Sequence, residues 1–270
     1  MMNMIKGFFG FLVGIYKERK IILNLAINDF KSKFTNSLLG MIWGFLLPLL
    51  TIFVLWYVFE IGLKSGTVKD VPFMLYYIPA YIAWNFFTEA FSGCCNCLIE
   101  YSYMVKKMRF RVSVIPIVKI ISSGFVHVFF IGVVVIIYLI YGYRPSIYNI
   151  QVLYYLFALC VLLIGFGWLS SAMAVFAKDT SNIVAVILQV GFWATPIIWS
   201  TDIMSESVIR ILELNPMYYI CNGYRDCFLY HKWFWENPGL TIYFWSFTLV
   251  IFVIGANLFK RLRAQFADVI

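Results

Sequence analysis

The sequence predicts an all-α polytopic membrane protein. It should have six transmembrane helices, an N-terminal amphipathic helix in the membrane interface, and two short re-entrant helices in the outer loop before the last span. Three observations carry that fold class. Of 270 residues, 63% are hydrophobic and only 13% charged, and the mean hydropathy is +0.86. A soluble domain of this length needs far more polar surface to cover its core. Six apolar stretches reach or approach the roughly twenty residues that a helix needs to cross hydrocarbon. Finally, the cations gather on one side of those stretches.

Residues 1–35 read as the interfacial helix, 36–262 as the membrane domain and 263–270 as a tail. The opening GFFGFLVGI has the length of a signal-peptide core, but KERK follows it without a small-residue cleavage site, so no signal is expected. Lys17, Lys20, Asn24, Asn28 and Lys31 recur at steps of three and four and share one helical face, with Ile22, Ala26 and Phe30 roughly opposite. Such a helix lies in the interface with its cations near lipid phosphates. Two roles stay open: a plain anchor, or an anchor whose polar face also meets a soluble partner.

The predicted spans are Leu38–Phe59, Val71–Leu98, Val112–Tyr141, Ile150–Ala177, Ile183–Ser200 and Leu240–Phe259. The fifth is the shortest and holds Pro196. LKSGTVKD, GYRPS, KDTSN and ENPG punctuate them as turns. With the N-terminus inside, the inner segments hold Lys6, Lys17, Arg19, Lys20, Lys31, Lys33, Lys106, Lys107, Arg109, Arg111, Lys178, Lys260, Arg261 and Arg263. The outer segments hold only Lys64, Lys69, Arg144, Arg210, Arg225 and Lys232. Both termini therefore fall on the cytoplasmic side. The net charge of +8 then marks a membrane face and excludes a nucleic-acid partner.

The outer loop, about 202–239, is too apolar to be free, yet Pro216 and Gly223 interrupt it. Two short helices dipping into the outer leaflet suit it, because irregular backbone at that depth must be shielded by protein. A folded cap on the membrane surface is the alternative. No internal repeat is visible, which argues against inverted-repeat carriers.

Catalytic chemistry is missing. No segment matches G-x-x-x-x-G-K-[ST], H-E-x-x-H or G-x-S-x-G, and only two histidines occur. His127, in an apolar run, is expected to hydrogen-bond between helices. No metal site is expected: Cys94, Cys95 and Cys97 cluster without a histidine and read as packing residues. Cys221 and Cys227 are too far apart along a helix for a bridge unless Gly223 breaks it. Glu89 is the one acid well inside a predicted span and is a functional candidate, either neutral or paired. Trp43, Trp56, Tyr57, Tyr76, Tyr77, Tyr81, Trp84, Phe86, Phe87, Trp193 and Trp199 crowd spans one, two and five. Those near span ends suit an interfacial belt. The deeper Trp43, Trp84 and Trp193 call for a partner or a wet cavity, and aromatic faces of this kind can stack on sugar rings.

Three segments carry a resemblance. LLGMIWGFLLPLL, from Leu38, resembles the opening of span one in the membrane subunits of bacterial ABC exporters for surface polysaccharides and teichoic acids. NPMYYICNGYRDCFLYHKWFW, from Asn215, resembles the outer loop of that ABC-2 type permease family, and YFWSFTLVIFVIGANLFKRLRAQFADVI its closing span and tail. The last two look most like the teichoic-acid branch.

The resemblance implies a six-span permease of the bacterial plasma membrane. It would form a homodimer with two copies of a separate ABC ATPase, which binds the ATP and Mg2+, and this chain would carry no cofactor. The implied cargo is a polyprenyl-linked polymer, teichoic acid in the first place. O-antigen or capsule, a drug or a lipid are alternatives, and a passive channel or ion-coupled carrier is a remoter one. VKKMRFRVSVIP, within the segment at about 100–113, takes the place of the family's coupling helix. Phe110 would be its apolar plug and Lys106, Lys107, Arg109 and Arg111 its charged contacts. Many relatives carry Phe-Pro-Arg where this chain has Phe110–Arg111–Val112. Lys17, Lys20 and Lys31 would flank the ATPase. Lys33, Trp43, Trp56, Tyr57, Tyr81, Trp84, Phe87, Glu89 and Trp193 are candidates for the cargo path, and Asn215, Pro216, Tyr218, Tyr219 and Arg225 for the outer gate.

Overall fold

A computed structural model describes residues 2–33, 40–62, 67–68, 71–106 and 111–270. Among these, α1 runs over Met2–Ser32. Its exposed face carries Lys17, Lys20, Asn24, Asn28 and Lys31, as the periodicity predicts. Its opposite face packs on protein: Ile22 and Ala26 are buried against Val114, Ile117 and Val118.

Helix α2, Ile42–Trp56, continues as a π-helical turn over Tyr57–Gly62. Ile52 is its one buried residue; Phe45, Leu49 and Leu55 pack partly on the core, and the rest of the helix presents apolar side chains outward. Thr67–Val68 then pairs antiparallel with Val71–Pro72.

Helix α3, Phe73–Glu100, is the axle of the fold. Its 28 residues extend about 42 Å at 1.5 Å per residue, and it packs against α5 (Ile115–Ile140), α6 (Gln151–Phe176), α7 (Thr180–Ala194) and α9 (Pro216–Arg225). A helix buried on most sides tolerates Asn85, Thr88, Glu89 and Asn96 because neighbouring helices partly shield them.

The five-residue α4, Ser102–Lys106, follows α3. A 3-10 turn over Val112–Val114 then leads into α5, with Pro116 in its first turn, where a missing N–H costs nothing. A capping box between Ser146 and Asn149 opens the 3-10 turn before α6. Helices α6 and α10 (Pro238–Leu262) meet at glycines. A Cβ added at Gly165 would lie 3.0 Å from the Phe252 backbone, and one at Gly255 would run into the Gly165 carbonyl. Small residues allow this approach of two backbones. The short α11, Phe266–Val269, buries Phe266 in a cluster with Val105, Val112 and Phe259.

Among the described residues, four helices are long and apolar enough to cross a membrane: Ile42–Gly62, Val112–Ile140, Ile147–Phe176 and Pro238–Val269. The chain is therefore an all-helical, multi-pass membrane protein. Two of the six expected spans differ. The polar residues of α3 keep that helix out of the set. The fifth ends as the 15-residue α7, about 22 Å long, because the chain turns extended at Thr195 before Pro196. The outer loop forms α8, Glu206–Glu213, and α9, with Pro216 at the start of α9. Gly223 does not break α9. It sits where any Cβ would strike the Tyr155 ring, so it is a packing glycine.

Candidate functional site

The chemistry-bearing residues gather at the two ends of the bundle. At the α1 end lies a buried charge cluster. Lys119 of α5 extends its Nζ to Asp29 Oδ1 at 2.6 Å and to Glu100 Oε2 at 2.5 Å, and the Tyr101 hydroxyl donates to Asp29 Oδ1 at 2.8 Å. Lys119 and Asp29 are 5% and 3% exposed, whereas Glu100 is half exposed. Burial pushes the Asp29 carboxyl up, but Lys119, Ser122 and Tyr101 outweigh it and hold the carboxyl below its ordinary value. The cluster ties α1 to α3 and α5 at the segment that the sequence marks for coupling.

Arg111 is braced against α1 as well. Its Nε meets Glu18 Oε1 at 3.3 Å, and its guanidinium occupies the space above Gly14. Arg111 is thus held from within the chain while staying about half exposed. Lys106 is exposed at the end of α4. Lys107, Arg109 and Phe110 lie outside the described residues.

Glu89 is paired: Lys33 Nζ lies 3.0 Å from Glu89 Oε1. Two of the candidate path residues therefore meet each other. Of the aromatic candidates, Tyr81, Trp84 and Phe87 belong to the core, whereas Trp43, Tyr57 and Trp193 are exposed. Trp84 and Trp193 do come together, on opposite walls of a groove between α3 and α7 that also holds Thr88, Ser92 and Gln189. Trp43, Trp56 and Tyr57 ride on α2 and line neither this groove nor the cavity at the other end.

That other end is organised by Arg225. Its Nε donates to the Tyr76 carbonyl at 3.0 Å, one terminal nitrogen to Asn222 Oδ1 at 2.9 Å, and the other to the carbonyls of Pro196 and Ile197 at 2.5 and 2.9 Å. The guanidinium also lies 3.8 Å over the Tyr76 ring. Only 1% exposed, Arg225 is a clamp that fastens α9 to the top of α3 and to the turn after α7. Asn215 caps α9, accepting from Met217 N at 3.0 Å and donating to Thr195 at 2.8 Å. Tyr219 shares a hydroxyl network with Tyr154 and Thr241 at 3.0 and 3.1 Å. His127 Nε2 pairs with the Tyr224 hydroxyl at 2.8 Å, linking α5 and α9 as expected. Cys221 and Cys227 are buried free thiols.

Beside Arg225 opens a cavity of about 390 Å3 whose lining includes Tyr218, Asn222, Arg225 and Asp226. These residues share one face of α9 and its π-helical extension at steps of three and four. Burial pushes the Asp226 carboxyl up to about 6; Lys232 and Arg225 pull it down, and Glu236 pushes it up.

Two features escaped the sequence reading. Lys119 is a lone charge in an apolar run, which is itself a signal of a specific partner, and Asp226 sits one step from the arginine that drew attention.

The helical membrane architecture, with a charge-braced connection at one end and clamped short helices at the other, defines a transport subunit. The chain belongs to the ABC-2 type transporter family, whose profile matches residues 22–229. Two Klebsiella pneumoniae proteins named O-antigen export system permease protein RfbA are each 22% identical to it, over 93% of this chain and 95% of theirs. A protein of the same name from Myxococcus xanthus is 22% identical, over 94% of this chain and 96% of its own length.

Proposed function

We propose that this chain is the membrane subunit of an ATP-driven exporter that moves a polyprenyl-linked surface polysaccharide from the inner to the outer leaflet. The observation that carries the reading is the family match across residues 22–229. The names of the relatives favour an O-antigen-type polysaccharide. Teichoic acid is the second reading, favoured by the resemblance of the Asn215 and Tyr243 segments to that branch.

In this reading α3 and α7 complete six spans. Both termini and the charge cluster face the cytoplasm, and α8 and α9 form the re-entrant outer element. Two copies of the chain join two copies of a separate ATPase, which binds ATP and Mg2+. The exposed apolar faces of α2 and α7 are available to lipid and to the second copy. The segment from Ser102 to Arg111 docks on the ATPase. The Arg111–Glu18 pair and the Lys119 cluster stiffen that segment, so force arriving there reaches α1, α3 and α5 together. A charged headgroup is too costly to drag through hydrocarbon bare. The groove holding Trp84 and Trp193, with Lys33 and Glu89 nearer the α1 end, offers a polar and aromatic wall. Nucleotide binding on the partner would shift the equilibrium between two arrangements of that wall.

The test is genetic and biochemical. Cells lacking this chain should keep lipid-linked polymer inside and lose it from the surface. The wild-type gene should restore export, but not alongside a hydrolysis-dead ATPase. Unchanged surface polymer in the deletion strain would overturn the proposal.

A further inference from the structure

We propose that the cavity beside Arg225 is a binding subsite for uncharged sugar residues of the cargo at the outer face. The inference rests on the exporter reading and deepens it by naming the chemistry that the outer end recognises.

The cavity's size, about 390 Å3, falls within the roughly 300–1,000 Å3 typical of small-ligand sites. Its walls are of two kinds. Tyr218, Tyr230 and Trp233 supply aromatic surface of the sort that stacks on the C–H faces of a pyranose ring. Asn222, Glu213 and Asp226 supply planar groups that can each accept hydrogen bonds from neighbouring hydroxyls. The Asp226 carboxylate lines the cavity, is partly exposed there, and takes no hydrogen bond among the described residues. Its acceptor capacity is open to a ligand, and a sugar hydroxyl can use it.

Charge decides against a phosphate-bearing repeat. Three carboxylates, Glu213, Asp226 and Glu236, line the cavity beside two cations, Arg225 and Lys232. Arg225 is already bonded to three carbonyls and Asn222. Lys232 is then the one lining cation not already spent, and a phosphodiester entering here meets net like charge. Neutral sugars meet no such barrier. The site is also rigid: the Arg225 clamp and the Tyr155 ring against Gly223 fix α9. Gln151 holds the 231–234 segment, donating to the Lys232 carbonyl and accepting from Phe234 N at 2.9 and 2.8 Å.

The full chain in lipid nanodiscs can be titrated with neutral trisaccharides of galactose, mannose and rhamnose and with a glycerol-phosphate trimer, following tryptophan fluorescence. At least one neutral trisaccharide should bind saturably. Asp226→Asn and, read by calorimetry, Trp233→Ala should each weaken that binding at least tenfold, with thermal melts showing the variants folded. The phosphate trimer should not bind. Tighter binding of that trimer, no binding of any neutral probe, or wild-type affinity in both variants would overturn the inference. Its failure is separable from that of the exporter reading. If deletion abolishes surface polymer while both variants bind normally, only the subsite falls; if deletion leaves surface polymer intact, the exporter reading falls.

Discussion

Replacing Lys119 with Met removes the cation from a site where Asp29 is 3% exposed and held at 2.6 Å. The Tyr101 hydroxyl, at 2.8 Å, cannot neutralise the stranded carboxylate, and breaking one side of a buried pair costs about 3–5 kcal/mol. Removing both charges, in Asp29→Asn with Lys119→Met, should recover most of that loss, because a buried pair and an apolar replacement are often nearly equal in energy. Glu100 is half exposed, so water screens it and Glu100→Gln should cost less than about 1 kcal/mol. Unfolding in detergent, followed by intrinsic fluorescence, gives the four free energies of the double-mutant cycle. The Asp29 carboxyl is held below its ordinary 3.8. Its contribution should therefore be complete above that pH and disappear as pH falls through the depressed value. A single variant within 1 kcal/mol of wild type, or a double variant as unstable as the single, would refute the reasoning.

Three further outcomes are expected. Arg111→Glu should uncouple ATP hydrolysis from transport while leaving the fold intact, since the pair with Glu18 is partly exposed and worth about 0–1 kcal/mol; adding Glu18→Arg should restore coupling in the purified complex. Arg225→Met strips donors from the Tyr76, Pro196 and Ile197 carbonyls. It should cost about 3 kcal/mol or more and expose 216–230 to proteolysis, with Arg225→Lys giving only partial rescue. Asp226 has its carboxyl raised from 3.8 to about 6, facing Lys232, Arg225 and Glu236. Its ionised form therefore penalises the fold above pH 6, and the penalty fades as pH falls toward 4. Asp226→Asn should accordingly raise stability by about 1–2 kcal/mol at pH 8 and change it little at pH 4, as read by thermal melts.

The amphipathic helix was legible because lysines and asparagines three and four apart leave little choice of face. What covers its apolar side was not legible, since periodicity says which residues are buried but not whether lipid or Val114 and Ile117 bury them. The same limit hides the role of α3: hydropathy ranks a helix by composition, and a helix enclosed by neighbours can hold Asn85 and Asn96. Gly223 illustrates the point in miniature. A glycine reads as a break along the chain, and only the Tyr155 ring reveals it as a socket. Arg225 stood out as an arginine in an outer segment, but its partners could not be read from the sequence, because they are carbonyls far away along the chain.

The meeting of Gly165 and Gly255 has a consequence for how the molecule can change shape. Where main chain touches main chain, no rotamer can flip to admit a new register, so α6 and α10 travel as one plank. Helix α2, with Ile52 its one buried residue, is held less firmly, so in any rearrangement the glycine-welded pair is the part that keeps its register.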